Sequence, residues 1–125
     1  MLNQTGISKE SAVTRKTILI APELAFTLSC KIANTGVGAD SDGKKIVKAG
    51  TPLSGNLEAR ETAFTVASGS EATCVLLHDV DVTAGTANAQ AVIFGFIDTS
   101  KLESSVVSAL TQPIRTSLTK ITFVK

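Results

Sequence analysis

The chain has 125 residues, with 12 Lys and Arg against 11 Asp and Glu and a formal net charge of +1. That is one domain's worth of sequence with no overall field to recruit nucleic acid or an anionic membrane. Aromatic residues make up 4% and all are Phe, which argues against the stacking platforms that hold sugars or single strands, and no run approaches the roughly 20 apolar residues that span a bilayer.

Between Met1 and Lys16 the apolar residues are Leu2, Ile7, Ala12 and Val13. So little apolar surface does not offset the entropy of ordering the segment, and residues 1–21 read as a flexible N-terminal arm ahead of one β-rich domain, 22–125. The segment does not read as a signal peptide. It is polar and mixed in charge, and the nearby run Ile18-Leu19-Ile20-Ala21 is cut short by Pro22-Glu23. Synthesis in the cytosol is expected, with Cys30 and Cys74 as reduced thiols inside apolar strands. Thr17, Ile18, Leu19 and Ile20 are extended-chain formers that could add a strand to a partner's sheet.

From Ala25 to Ile32 the chain alternates, with Phe26, Leu28, Cys30 and Ile32 against Thr27, Ser29 and Lys31, the pattern of a strand with one covered face. Asn34 to Gly43 is a Gly and Asp loop. Its Asp40-x-Asp42-Gly43 lacks the further oxygen ligands of a calcium loop and is followed by Lys44-Lys45, so it reads as a turn. A short strand is expected over 44–48, then a turn over 49–53 at which Pro52 takes the chain out of the sheet. Gly55 to Glu61 reads as a loop and Thr62 to Val66 as a strand.

Thr73 to Leu77 and Ala89 to Ile97 are apolar runs joined by a polar bend, and they predict two hairpin-linked strands. After them Asp98, Thr99 and Ser100 offer three possible N-caps, of which Ser100 with Glu103 fits a capping box, and Leu102, Val106 and Leu110 fall on one helical stripe that Pro113 should end. Ser117 to Val124 reads as a final strand. The predicted fold is α+β, mainly β, with one short helix and an open or barrel-like sheet.

Chemistry is sparse. His78-Asp79-Val80-Asp81 is the one place where an imidazole and carboxylates meet, but neighbouring residues of an extended chain point to opposite faces, and His78 is the only histidine. No G-x-S-x-G turn accompanies it. Gly36-Val37-Gly38 lacks the rest of a dinucleotide or phosphate loop, and the doublets Arg15-Lys16 and Lys44-Lys45 are too small for a nucleic-acid footprint. The expectation is a protein that is not an enzyme, with no catalytic residue, metal or cofactor, acting as an assembly or binding module.

Three stretches carry a resemblance. Gly43 to Leu53 (GKKIVKAGTPL), Ala72 to Asp81 (ATCVLLHDVD), and Ala91 to Asp98 (AVIFGFID) with Lys101-Leu102 are together similar to the head decoration proteins of tailed phages, the lambda-like capsid-stabilising family. The match covers residues 43–102, about half the chain. It departs from the family pattern at Cys74, where the family commonly has Gly.

The resemblance implies a β-tulip-like α+β fold and a homotrimer seated on the expanded capsid shell. It also implies an arm, Met1 to Ala21 here, that orders against the major capsid protein, with Thr17, Ile18, Leu19 and Ile20 as the capsid contact. Localisation would be the outer surface of the virion after synthesis in the host cytoplasm, with no nucleic-acid or membrane partner. Another virion component, such as a tail or head-fibre base domain, is the alternative, and a small-ligand-binding β domain a more distant one.

Overall fold

The computed structural model describes residues 18–68 and 71–125. In chain order the strands are β1 (Leu19–Ile20), β2 (Phe26–Ile32), β3 (Ile46–Val47), β4 (Pro52–Ser54), β5 (Thr65–Val66), β6 (Cys74–Leu76), β7 (Val80–Asp81) and β8 (Ala87–Asp98). Helices α1 (Ser104–Ala109) and α2 (Gln112–Ser117) and strand β9 (Ile121–Val124) follow. The protein is mainly β, with two short helices and an open sheet.

The sheet is organised on β8, whose 12 residues have neighbours on both edges. Along one edge run β1 and β2, both antiparallel, with Leu19 opposite Ile97, Phe26 opposite Phe94 and Ile32 opposite Ala87. Along the other edge lie β6, antiparallel at Ala91 and Val92, and β9, parallel from Gly95 to Asp98. Beyond β6 come β4 and then β5, while β3 and β7 form a separate two-stranded ribbon.

Both faces of the sheet centre are covered, which explains why the runs at 73–77 and 89–97 are apolar without alternation. Val75 and Val92 face a cluster with Val106, Leu110, Ile114 and Leu118 from the helical segment. Cys74, Leu76 and Ala91 point the other way, into a cluster with Ile32, Val47, Leu53, Phe64 and Val82. Strict alternation would place Val92 and Ile97, five residues apart, on opposite faces. They share one cluster because the pairing of β8 with β2 shifts between Val92 and Phe94, where a β-bulge inserts an extra residue. Past the bulge, Phe94 and Phe96 turn away from the helices.

Several local expectations change. Asp98, rather than Ser100, caps the turn after β8, its carboxylate accepting from the Ser100 N–H at 3.0 Å and the Ser100 hydroxyl at 2.6 Å. That turn is a 3-10 turn, Thr99–Lys101. The helical segment then divides in two. Pro113 stands in the first turn of α2, where its missing N–H costs nothing, so it starts a helix instead of ending one. Leu102, Val106 and Leu110 are all buried, as their shared stripe requires. Pro52 opens β4 instead of leaving the sheet, the first strand position being one that tolerates a residue without an N–H donor.

The arm boundary also moves. Ile18 is fully buried in the helix-side cluster, and Leu19–Ile20 pairs with β8. The reason is that β8 extends past the end of β2 and leaves an edge, at Phe96 and Ile97, that the chain's own residues fill. The flexible arm expected over residues 1–17, including the contact residue Thr17, lies outside the described residues.

Candidate functional site

The chain's five Phe residues divide unequally. Phe64 is buried, and Phe123 is half-buried beneath the Arg115 guanidinium, 5.1 Å from its ring centre. Phe26, Phe94 and Phe96 stand open to solvent, together with Ile20 and Leu24. Register brings them together, since Phe26 is opposite Phe94 and Ile20 opposite Phe96, and Leu24 sits in the 3-10 turn Pro22–Leu24 that links β1 to β2. An apolar surface is thus continuous from β8 onto β1 and β2, which share one of its edges.

Beside it the pairing along β8 is interrupted. Strand β6 ends its register at Val92 and β9 begins at Gly95. At that gap opens a groove of about 520 Å³, whose walls include Phe26, Leu57, Ile93, Phe94, Leu118 and Ile121. The same bulge that turns Phe94 outward therefore sets it at the rim of an apolar groove.

Of the four proposed contact residues, Ile18 is core, Leu19 is half-buried and Ile20 is exposed at the corner of this surface. The alternation of β2 places Phe26 on its covered face, yet Phe26 is open, and Phe94 and Phe96 were not singled out within their apolar run. The run Val92 to Ile97 is apolar on both faces, so its composition alone does not say which face is covered. The spacing of the two Phe residues about Gly95 is the one available hint.

The carboxylates near His78 are occupied with local structure. The Asp79 carboxylate accepts from the Ala49 N–H at 2.8 Å, while Lys48 bridges to Glu103 at 3.4 Å and lies 4.0 Å from Asp79. Asp81 accepts from the Thr83 N–H at 2.8 Å, and Asp40 from the N–H groups of Asp42 and Lys44, the Asx-turn geometry expected of Asp-x-Asp-Gly. His78 lines a separate polar depression with Ser29, Arg60 and Gln90. Among the described residues, no three His, Cys, Asp or Glu side chains stand together as a metal site, and no helix is long and apolar enough to cross a membrane.

Both cysteines are free and buried. Burial pushes the Cys74 thiol up to about 12, against a smaller opposing effect of the Thr73 hydroxyl. It also raises Cys30, which Arg60 partly offsets. Neither forms a ready thiolate at neutral pH, and both serve as small apolar side chains.

Hydroxyl and backbone donors hold Asp98 and Asp81 below the usual carboxylate range, from Ser100 and Thr83 respectively. A depressed folded value means these groups stabilise the fold above the unfolded pKa, near 4, and lose that contribution as pH falls through their folded values. The thermal midpoint should accordingly hold from neutrality to about pH 5 and decline below about pH 4. The double variant Asp81→Asn/Asp98→Asn should be less stable at neutral pH and show a shallower acid decline. An unchanged slope would mean that other carboxylates govern it.

Compared with family models and with curated protein sequences, the chain matches none.

Proposed function

We propose that the chain is a viral capsid decoration protein, a cement that binds the expanded head shell through the major capsid protein and sits on it as a homotrimer. The observation that carries this reading is the open apolar surface of Ile20, Phe26, Phe94 and Phe96 on a small β domain. Such a surface gains most when another protein subunit, of the shell or of the same assembly, covers it. The likeness of residues 43–102 to decoration proteins supplies the kind of assembly.

Cementing needs no bond chemistry. A subunit set that bridges several shell proteins makes their separation break every contact together, so weak individual contacts add through effective concentration. A net charge of +1 keeps repulsion between densely packed copies small. Within the proposed contact set Thr17, Ile18, Leu19 and Ile20, the Ile20 side chain is open to a partner, whereas Ile18 holds the segment to the domain.

The test is co-sedimentation of the purified chain with expanded, undecorated shells of the major capsid protein from the same genome, with unexpanded shells as control. Saturable binding to expanded shells alone is the expected result, and binding to neither form would defeat the reading. A truncation for this purpose should stop at Thr17, because removing Ile18 to Ile20 takes out a core residue and a strand. It should lose shell binding with an unchanged melting profile.

A further inference from the structure

We infer that the apolar face around Phe94 is the contact between copies of this chain, an inference that deepens the homotrimer part of the reading above and rests on it. Three of the five Phe residues lie on this face. A chain poor in aromatic residues has thus placed most of its largest apolar side chains where its own core does not use them.

The area fits. Ile20 is 43%, Leu24 58%, Phe26 56%, Phe94 47% and Phe96 37% exposed. At about 200 Å² per side chain, that leaves about 480 Å² of apolar surface. A standard interface covers about 800 Å² on each partner, somewhat over half of it apolar. The face therefore supplies the apolar part of one such interface, and it is far broader than a small ligand would need.

A second copy is the occupant that matches it best. In a closed ring of three each contact joins two different patches of the chain, so one copy must carry both halves of the contact. This chain carries both the projecting parts, Leu24 in its turn and Phe96 on the strand, and the groove of about 520 Å³ between β6 and β9 that can receive one. An unrelated partner would have to bring surfaces complementary to both, whereas a second copy already has them.

Sedimentation equilibrium of the full chain without shells, at concentrations up to about 1 mM, tests this directly, since a contact with a millimolar dissociation constant is populated there. The wild type should exceed monomer mass reversibly. Phe94→Asp, which would bury an unpaired charge, should weaken association about tenfold or more. Asn88→Asp, exposed on the same strand but outside the face, should leave it unchanged, and circular dichroism melting should show both variants folded. If Phe94→Asp does not fold, Phe26→Ser should give the same weakening.

A wild-type chain that stays monomeric throughout, or an association indifferent to these substitutions, would overturn the inference. So would a monomeric chain whose Phe94 variant loses shell binding, since the face would then belong to the capsid protein. Failure here leaves binding of the wild type to expanded shells to be judged separately. Failure of shell binding with intact self-association would remove the capsid reading alone.

Discussion

Replacing Gly50 by Ala should cost the fold about 3 kcal/mol, the sum of a conformational and a steric penalty. Gly50 has φ +91°, in the region that side chains disfavour, and an added Cβ would lie 2.4 Å from Leu102 Cδ2. Its neighbours leave little room to shift. The Gly50 N–H donates to the Leu76 carbonyl at 2.7 Å, and the Leu76 N–H donates back to the Thr51 carbonyl at 3.0 Å, so the turn is fastened to β6. The Thr51 hydroxyl closes it further by donating to the Lys48 carbonyl at 2.6 Å.

Urea titration would read the loss, and the thermal midpoint should drop by on the order of 10 °C. Combining Gly50→Ala with Leu102→Ala should recover the steric part and leave the conformational part, giving a coupling energy of about 1 kcal/mol or more. A single-variant loss below about 1 kcal/mol would show that the turn can relax in a way its hydrogen bonds do not indicate.

Phe64→Ala should be destabilising by about 3 to 5 kcal/mol, the usual cost of emptying a site filled by a buried ring. The ring is 1% exposed, and it packs so closely on Gly55 that a Cβ there would fall within 2.5 Å of it. Its backbone also joins two regions, the N–H donating to the Lys31 carbonyl and the carbonyl accepting from Ala33. Phe94→Ala removes the same atoms from an open site and should cost under about 1 kcal/mol in a dilute sample. Equal losses at the two positions would contradict the division between core and surface aromatics on which the proposed interface depends.

That division marks where sequence pattern is informative and where it is not. In β2 the alternation locates the buried positions Cys30 and Ile32, but Phe26 in the same register is open. The strand's pattern is uniform, while its cover ends part way along. Asp40-x-Asp42-Gly43 was legible as a turn because the whole motif is local. The helix stripe was legible in its burial but not in its division, since Pro113 suits the first turn of a helix as well as the end of one.

Ile18 looked like arm because the residues before it are polar, and its burial depends on an edge of β8 that lies about 80 residues further along the chain. The candidate surface was least visible of all. It depends on a bulge in β8, and nothing in an all-apolar run fixes the position of one extra residue.

The same end of β8 has a mechanical consequence. The Asp98 N–H donates to the Ile18 carbonyl at 2.9 Å, and the Thr99 hydroxyl donates to the Val124 carbonyl at 3.0 Å. The chain thus enters and leaves the sheet on opposite sides of one strand end, separated by two strand spacings, about 10 Å. Tension between those two points would load the outermost bonds of β1 and β9 first and peel the strands away one bond at a time, because the bonds lie across the strands and not along them. A load spread over the face of the sheet would instead be shared by many side chains at once. A domain loaded through its face would hold, and one pulled at these two points would yield from its strand ends inward.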